Sequence, residues 1–114
     1  MKIRHVAFSA GLALLAAAPL AWGQTSMTPA DQSFVESMQQ MNQATKSMPM
    51  TGKTDQDFVM MMVPHHEAAV TMAQTELKYG KSPFLKRMAR KIIKSQDHEI
   101  KQMRRWLAKH PGTH

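Results

Sequence analysis

The chain has 114 residues, room for one small domain but not for two independent cores. It contains no cysteine, which excludes disulfides, thiol nucleophiles and thiolate zinc sites, and it is basic, with a formal net charge of +7 from 15 lysines and arginines against 8 acids. Twelve methionines are the other departure in composition, and without thiols they are the chain's soft sulfur ligands.

Lys2, Arg4 and His5 form a short positive region. An apolar run from Val6 to about Leu20 follows, and Ala21-Trp22-Gly23 puts small residues at both cleavage-determining positions. The pattern predicts a secretory signal peptide over residues 1–23, cleavage after Gly23, and a periplasmic domain over residues 24–114. The run is short for a membrane span, and no later stretch is apolar enough to cross a bilayer, so no stable membrane insertion is expected after signal cleavage.

Thr28-Pro29-Ala30-Asp31 announces the first helix, with a hydroxyl cap, proline at the first helical position and an acid at the third. Its apolar stripe is Phe34, Val35, Met38 and Met41, continuing weakly through Thr45 and Met48, which predicts that Met38 and Met41 point inward. Residues 47–53, SMPMTGK, read as a loop, broken by Pro49 and Gly52, with Met48 and Met50 flanking the proline. Two methionines in a loop fit a metal-entry site as well as a hydrophobic lid.

The second helix begins at Thr54, with Asp57 as a capping-box acid, and ends before Gly80, which is expected in the left-handed conformation. Pro64 lies inside it and predicts a kink, because it removes one backbone donor and presses on the carbonyl of Met60. Immediately after comes the one adjacent histidine pair, His65 and His66. Met62 precedes both by one turn, Met61 precedes His65 by one turn, and Met72 follows two turns later, so sulfur and imidazole are expected on one side of the helix. Thioether with imidazole suits Cu(I) or Ag(I) better than a hard cation. The same stripe carries Phe58, Ala68, Ala69 and Ala73, and methionine at helical spacing is by default core filler.

Ser82-Pro83 announces the third helix, which runs to about Lys109, before Pro111 and Gly112. Its stripe is Leu85, Met88, Ala89, Ile92, Gln96, Ile100, Met103 and Leu107, widened by Ile93 and Trp106. Gln96 on this seam needs a polar partner, and a histidine of the second helix is the natural one, which would fix the imidazole nitrogen left for metal. His98 falls off the seam; His110 and His114 sit in the tail. Eleven of the lysines and arginines lie between Lys78 and Lys109 and read as a solvated face, while export argues against nucleic acid.

Several reactive motifs fail. His66-Glu67-Ala68-Ala69-Val70 starts like the zinc-protease motif H-E-x-x-H but has valine where the second histidine belongs. There are no Glu-x-x-His pairs of the di-iron bundles, no glycine-rich phosphate loop and no serine elbow. Nothing in the residues argues for an enzyme.

Asp55-x-x-Phe58-x-x-x-Met62-Val63-Pro64-His65-His66-x-x-Ala69-x-x-Met72-Ala73, followed by Ala89-x-x-Ile92-Ile93-x-x-Gln96-x-x-Glu99-Ile100-x-x-Met103, resembles the bacterial family called domain of unknown function 305, which includes CopM-like copper-binding proteins. The match covers roughly residues 54–107. The resemblance implies a helical protein, exported or membrane-tethered as many members are, that binds Cu(I) and Ag(I) through Met62, His65, His66, Met72 and Met103, with Met61 as their neighbour. Met60 stands where the family pattern is often acidic, which adds another soft sulfur.

These readings predict an all-α, small antiparallel bundle of three to four helices, of the ferritin-like four-helix type, a fourth element arising if Pro64 or the 47–53 loop splits a helix. The expected function is binding of copper or silver ions for sequestration or for delivery to a periplasmic copper-handling protein, with Met38, Met41, Met48 and Met50 as second-rank ligands and Gln96 behind the histidines. Reduction of Cu(II) in the site would need an electron donor, and no residue identifies one. A methionine-rich helical chaperone without a metal role is the alternative. Adhesion to anionic lipid through the basic last third is a third reading, and it predicts steep loss of binding with salt.

Overall fold

A computed structural model describes residues 25–111; the predicted signal peptide and His114 lie outside them. Three helices form: α1, Pro29–Lys46; α2, Thr54–Tyr79; and α3, Pro83–Lys109, with no strand among the described residues. The all-α bundle expected from the periodicity is therefore present. It has three helices, because α2 runs through Pro64 unsplit and the 47–53 loop adds no helix.

Local chemistry sets the helix starts. Thr28 Oγ1 accepts the Asp31 N–H at 3.1 Å and the Asp31 carboxylate accepts the Thr28 N–H at 3.0 Å, a complete capping box ahead of Pro29. Ser82 caps α3 by accepting the Leu85 N–H at 3.3 Å. At α2 the expected box does not form. Lys53 occupies the cap position, and Asp57 instead accepts the backbone N–H of Thr51 at 2.9 Å and its hydroxyl at 2.8 Å, which ties the loop to the first turn. These bonds hold the carboxyls of Asp31 and Asp57 below their ordinary range, through Thr28 and Thr51 respectively.

The two connections use glycine differently. Gly52, at φ 76°, supplies the left-handed residue, in the loop rather than after α2. Gly80 is extended, at φ −67° and ψ 157°, contrary to the expected left-handed cap. Glycine is required there for space: a Cβ would stand 2.5 Å from the Glu76 carbonyl oxygen.

α2 is the middle of the molecule. α1 and α3 each pack against it, while their backbones do not approach each other. Both partners run antiparallel to α2. Ser33 meets Thr75 and Ser37 meets Ala68 on one side; on the other, His66 meets Glu99, and Ala73 shares a groove with Ala89. With two neighbours, α2 buries two stripes instead of one: Val59, His66 and Ala73, seven residues apart, toward α3, and Ala68 and Thr75 toward α1. Phe58, read as core, is 60% exposed, because the buried stripe is centred one residue further on, at Val59.

α1 departs from its expected face in the same way. Ser37 is its buried residue, Phe34 and Met41 are half-buried, and Val35 and Met38 are exposed. The contact is made by small polar groups. Ser37 Oγ donates to the Ala68 carbonyl at 3.2 Å, and Ser33 and Thr75 share a 2.7 Å hydroxyl bond. Serine against alanine permits a close backbone approach that methionine at the centre would prevent.

Candidate functional site

The structure divides the histidine pair. Adjacent residues on a helix are about 100° apart around its axis. His65 is accordingly exposed, while His66 is 8% exposed under α3; their ring centres are 6.3 Å apart and tilted by 58°. The expectation that both imidazoles share one side with all the methionines is replaced by two groups of soft donors.

The inner group is centred on His66. Its Nε2 lies 2.6 Å from a carboxylate oxygen of Glu99 on α3. The Nε2–H donates to that carboxylate, so a neutral ring carries its lone pair on Nδ1. Nδ1 is buried and, among the described residues, is the one buried side-chain polar atom without a hydrogen-bond partner. Met62 precedes His66 by one turn on the same side, and the antiparallel register that sets His66 against Glu99 sets Met62 level with Met103; both methionines are half-buried. One imidazole nitrogen, oriented by a carboxylate on its other nitrogen, and two thioethers therefore lie within one turn of each other along the α2–α3 seam.

The predicted partner Gln96 does not fill its role. Glu99, three residues further along α3, holds the imidazole, and Gln96 is half-buried one turn away. Sequence reading missed Glu99 although a signal was present, since pairing Met62 with Met103 in an antiparallel seam requires His66 to face Glu99. A second tie beside it joins Arg104 to Glu67; both side chains are well exposed, so it contributes little.

The outer group lies on the open side of α2, between α1 and α3. Met61 and His65, one turn apart, are both exposed there. Met72 is set about 10 Å further along the axis than His65, in the wall of an apolar groove of about 320 Å³ shared with Phe34, Leu85, Met88 and Ile92. Met72 thus lies two turns beyond His65 on this open side, the separation that its spacing predicts.

The second-rank methionines are dispersed. Met41 lines a small cavity with Pro64 and Ala68 on the α1 side of α2, Met38 is 41% exposed, and Met48 and Met50 lie in the loop, Met50 well exposed. His98 is exposed as expected. His110 stacks on Trp106, ring centres 4.1 Å apart, with its Nδ1 2.8 Å from the Trp106 carbonyl. Among the described residues no three of the His, Asp and Glu side chains gather as a hard-cation site.

Fold and side chains together define a small all-α protein of three antiparallel helices, with soft donors along both sides of its central helix. The chain belongs to the family described as Domain of unknown function (DUF305), whose model matches residues 10–107. It is also similar to "Uncharacterized protein L153" of Acanthamoeba polyphaga mimivirus, 39% identical over 49 residues, which are 43% of this chain and 32% of that protein. The match thus spans about a third of the length of that relative.

Proposed function

We propose that this protein binds a soft monovalent metal ion, Cu(I) and with it Ag(I), for sequestration or delivery in the periplasm, without catalysis. The supporting observation is the His66 ring: Glu99 engages Nε2, and Nδ1 is left buried with no protein partner. A buried acceptor without a partner is costly, and a metal ion is one occupant that removes the cost. A carboxylate behind a metal-binding imidazole fixes its tautomer and raises its basicity. Met62 and Met103, level with each other one turn along the seam from His66, supply the thioether sulfurs that favour Cu(I) over zinc. Met61 and His65 form a more exposed pair through which an ion enters or leaves.

Anaerobic titration with Cu(I) against a chromophoric chelator tests this directly, with Zn(II) in parallel. The wild type is expected to compete for Cu(I) and to bind Zn(II) weakly. His66→Leu is expected to lose Cu(I) binding by about 100-fold or more, because it removes the one nitrogen of the inner group, yet to unfold at the same temperature or higher, since it also removes an unpartnered buried polar atom. Unchanged Cu(I) affinity in His66→Leu would sink the inner-site reading.

The apolar groove lined by Phe34, Met72, Leu85 and Met88 favours a second reading, a methionine-lined surface that holds apolar clients. Client binding by metal-free protein that persists with a Cu(I) chelator present would select it.

A further inference from the structure

The outward side of α3 carries Arg87, Arg90, Lys91 and Lys94 on its first half, and the same face continues through Lys101 and Arg105, all exposed. At 100° per residue these positions share one arc of about 100°, roughly 27 Å long, turned away from the α2 seam. His98 lies within it, and Asp97 sits at its margin. Among the described residues Glu67 pairs with Arg104 and Glu99 is bonded to the His66 ring, and none of these six cations lies within ion-pair distance of a carboxylate. Ordinary solvated helix faces alternate charge. Here Arg87 with Lys91, Arg90 with Lys94, and Lys101 with Arg105 are like-charge pairs one turn apart, each of which weakens the helix. Such a face gains from meeting a surface of opposite sign.

The N-terminal end of this stripe adds an aromatic ring. Phe84, at the start of α3, is 60% exposed and precedes Lys91 by seven residues, which places it close to the line of the stripe. Exposed aromatic rings among cations are the composition of a helix that lies in a bilayer interface, the rings entering the headgroup layer and the cations lying over phosphates.

We propose that the outward face of α3, together with the α2–α3 turn, docks the protein on the surface of an anionic phospholipid bilayer. The choice of lipid over nucleic acid rests on Phe84 and, in part, on the export proposed above. Docking by this face leaves the groove and the His65 edge of α2 open at the side of the molecule.

The test is sedimentation of the full chain with vesicles of phosphatidylglycerol and phosphatidylcholine, compared with phosphatidylcholine alone, at low and high salt. The apolar run in residues 6–20 can bind both vesicle types, so the readout is the ratio of anionic to neutral binding. The wild type is expected to show a large ratio that collapses with salt. Each cation near the surface contributes about fivefold, so Lys91→Glu with Lys94→Glu is expected to lower the ratio by about 25-fold or more, while Lys46→Glu on α1 leaves it unchanged. Phe84→Ser is expected to weaken anionic binding several-fold at fixed charge. Circular dichroism checks that each variant stays helical. A ratio near one, an unchanged ratio in the double reversal, or a preference for duplex DNA over anionic vesicles at equal salt overturns the proposal. Cu(I) titration of the double reversal separates the two readings, since its affinity is expected to match the wild type whether or not the bilayer is bound.

Discussion

The two seams of α2 are built from different chemistry. Toward α3, Val59, His66 and Ala73 repeat every seven residues against Ala89 and Ile100, with the His66–Glu99 bond at mid-seam. Toward α1, the contact is made by hydroxyls and small groups: Ser33 on Thr75 and Ser37 on the Ala68 carbonyl. An apolar seam gains from area removed from water, about 1.5–3 kcal/mol for a fully buried valine or isoleucine. A hydroxyl seam gains about 1 kcal/mol per hydrogen bond and depends on close approach. The α2–α3 pair therefore forms the more apolar half of the molecule, and it is the half that holds His66, Met62 and Met103. α1 covers the other side of α2 more lightly.

Glu99→Gln sharpens this contrast most. It keeps an acceptor for the His66 Nε2–H but removes the charge that orients and strengthens the ring, and Cu(I) affinity is expected to fall by about 10- to 100-fold. Gln96→Ala, one turn away, is expected to change it little. Equal effects at the two positions would return the supporting role to Gln96.

Ser37→Leu attacks the other seam. Ser37 is buried against α2 with its hydroxyl on the Ala68 carbonyl, so the variant loses this bond and forces the two backbones apart, and it is expected to lose about 1–3 kcal/mol. Hydrogen exchange should quicken in α1 first, and Cu(I) binding by the α2–α3 pair should survive. Parallel loss of protection in all three helices would show that the two seams are not independent.

The smallest expected effects are at the helix starts. Thr28→Ala removes half of the α1 capping box and is expected to cost about 1 kcal/mol, read as fraying of α1 alone. The same box responds to acid. Asp31 and Asp57 titrate below their ordinary range in the folded chain, so each supports folding above its unfolded pKa, and that support is lost as pH falls through the lowered folded value. Backbone protection at the starts of α1 and α2 is thus expected to decline below about pH 4, before the seams open.

How much of this was legible beforehand differs by element. The caps at Thr28 and Ser82 were readable because a cap is decided by residues within one turn of each other. The α1 face was misread by about one residue: hydrophobicity counted Val35 and Met38, while the packing selected Ser37, whose value lies in its small size next to Ala68. Phe58 was misread for a related reason, since α2 serves two neighbours and a single stripe does not describe it. His65 and His66 were found together and belong apart, because neighbours in sequence are separated around a helix.

By itself the sequence determined the three helices, two of their caps, the loop from residue 47 to 53 and the concentration of soft donors on α2, because each of these is written in local spacing and residue type. The tertiary structure alone decided that α2 lies between α1 and α3, that His66 turns inward while His65 faces solvent, and that Glu99 holds the buried ring. Those outcomes depend on the rotation and register of one helix against another, which size and shape fix across the seam and local spacing does not encode.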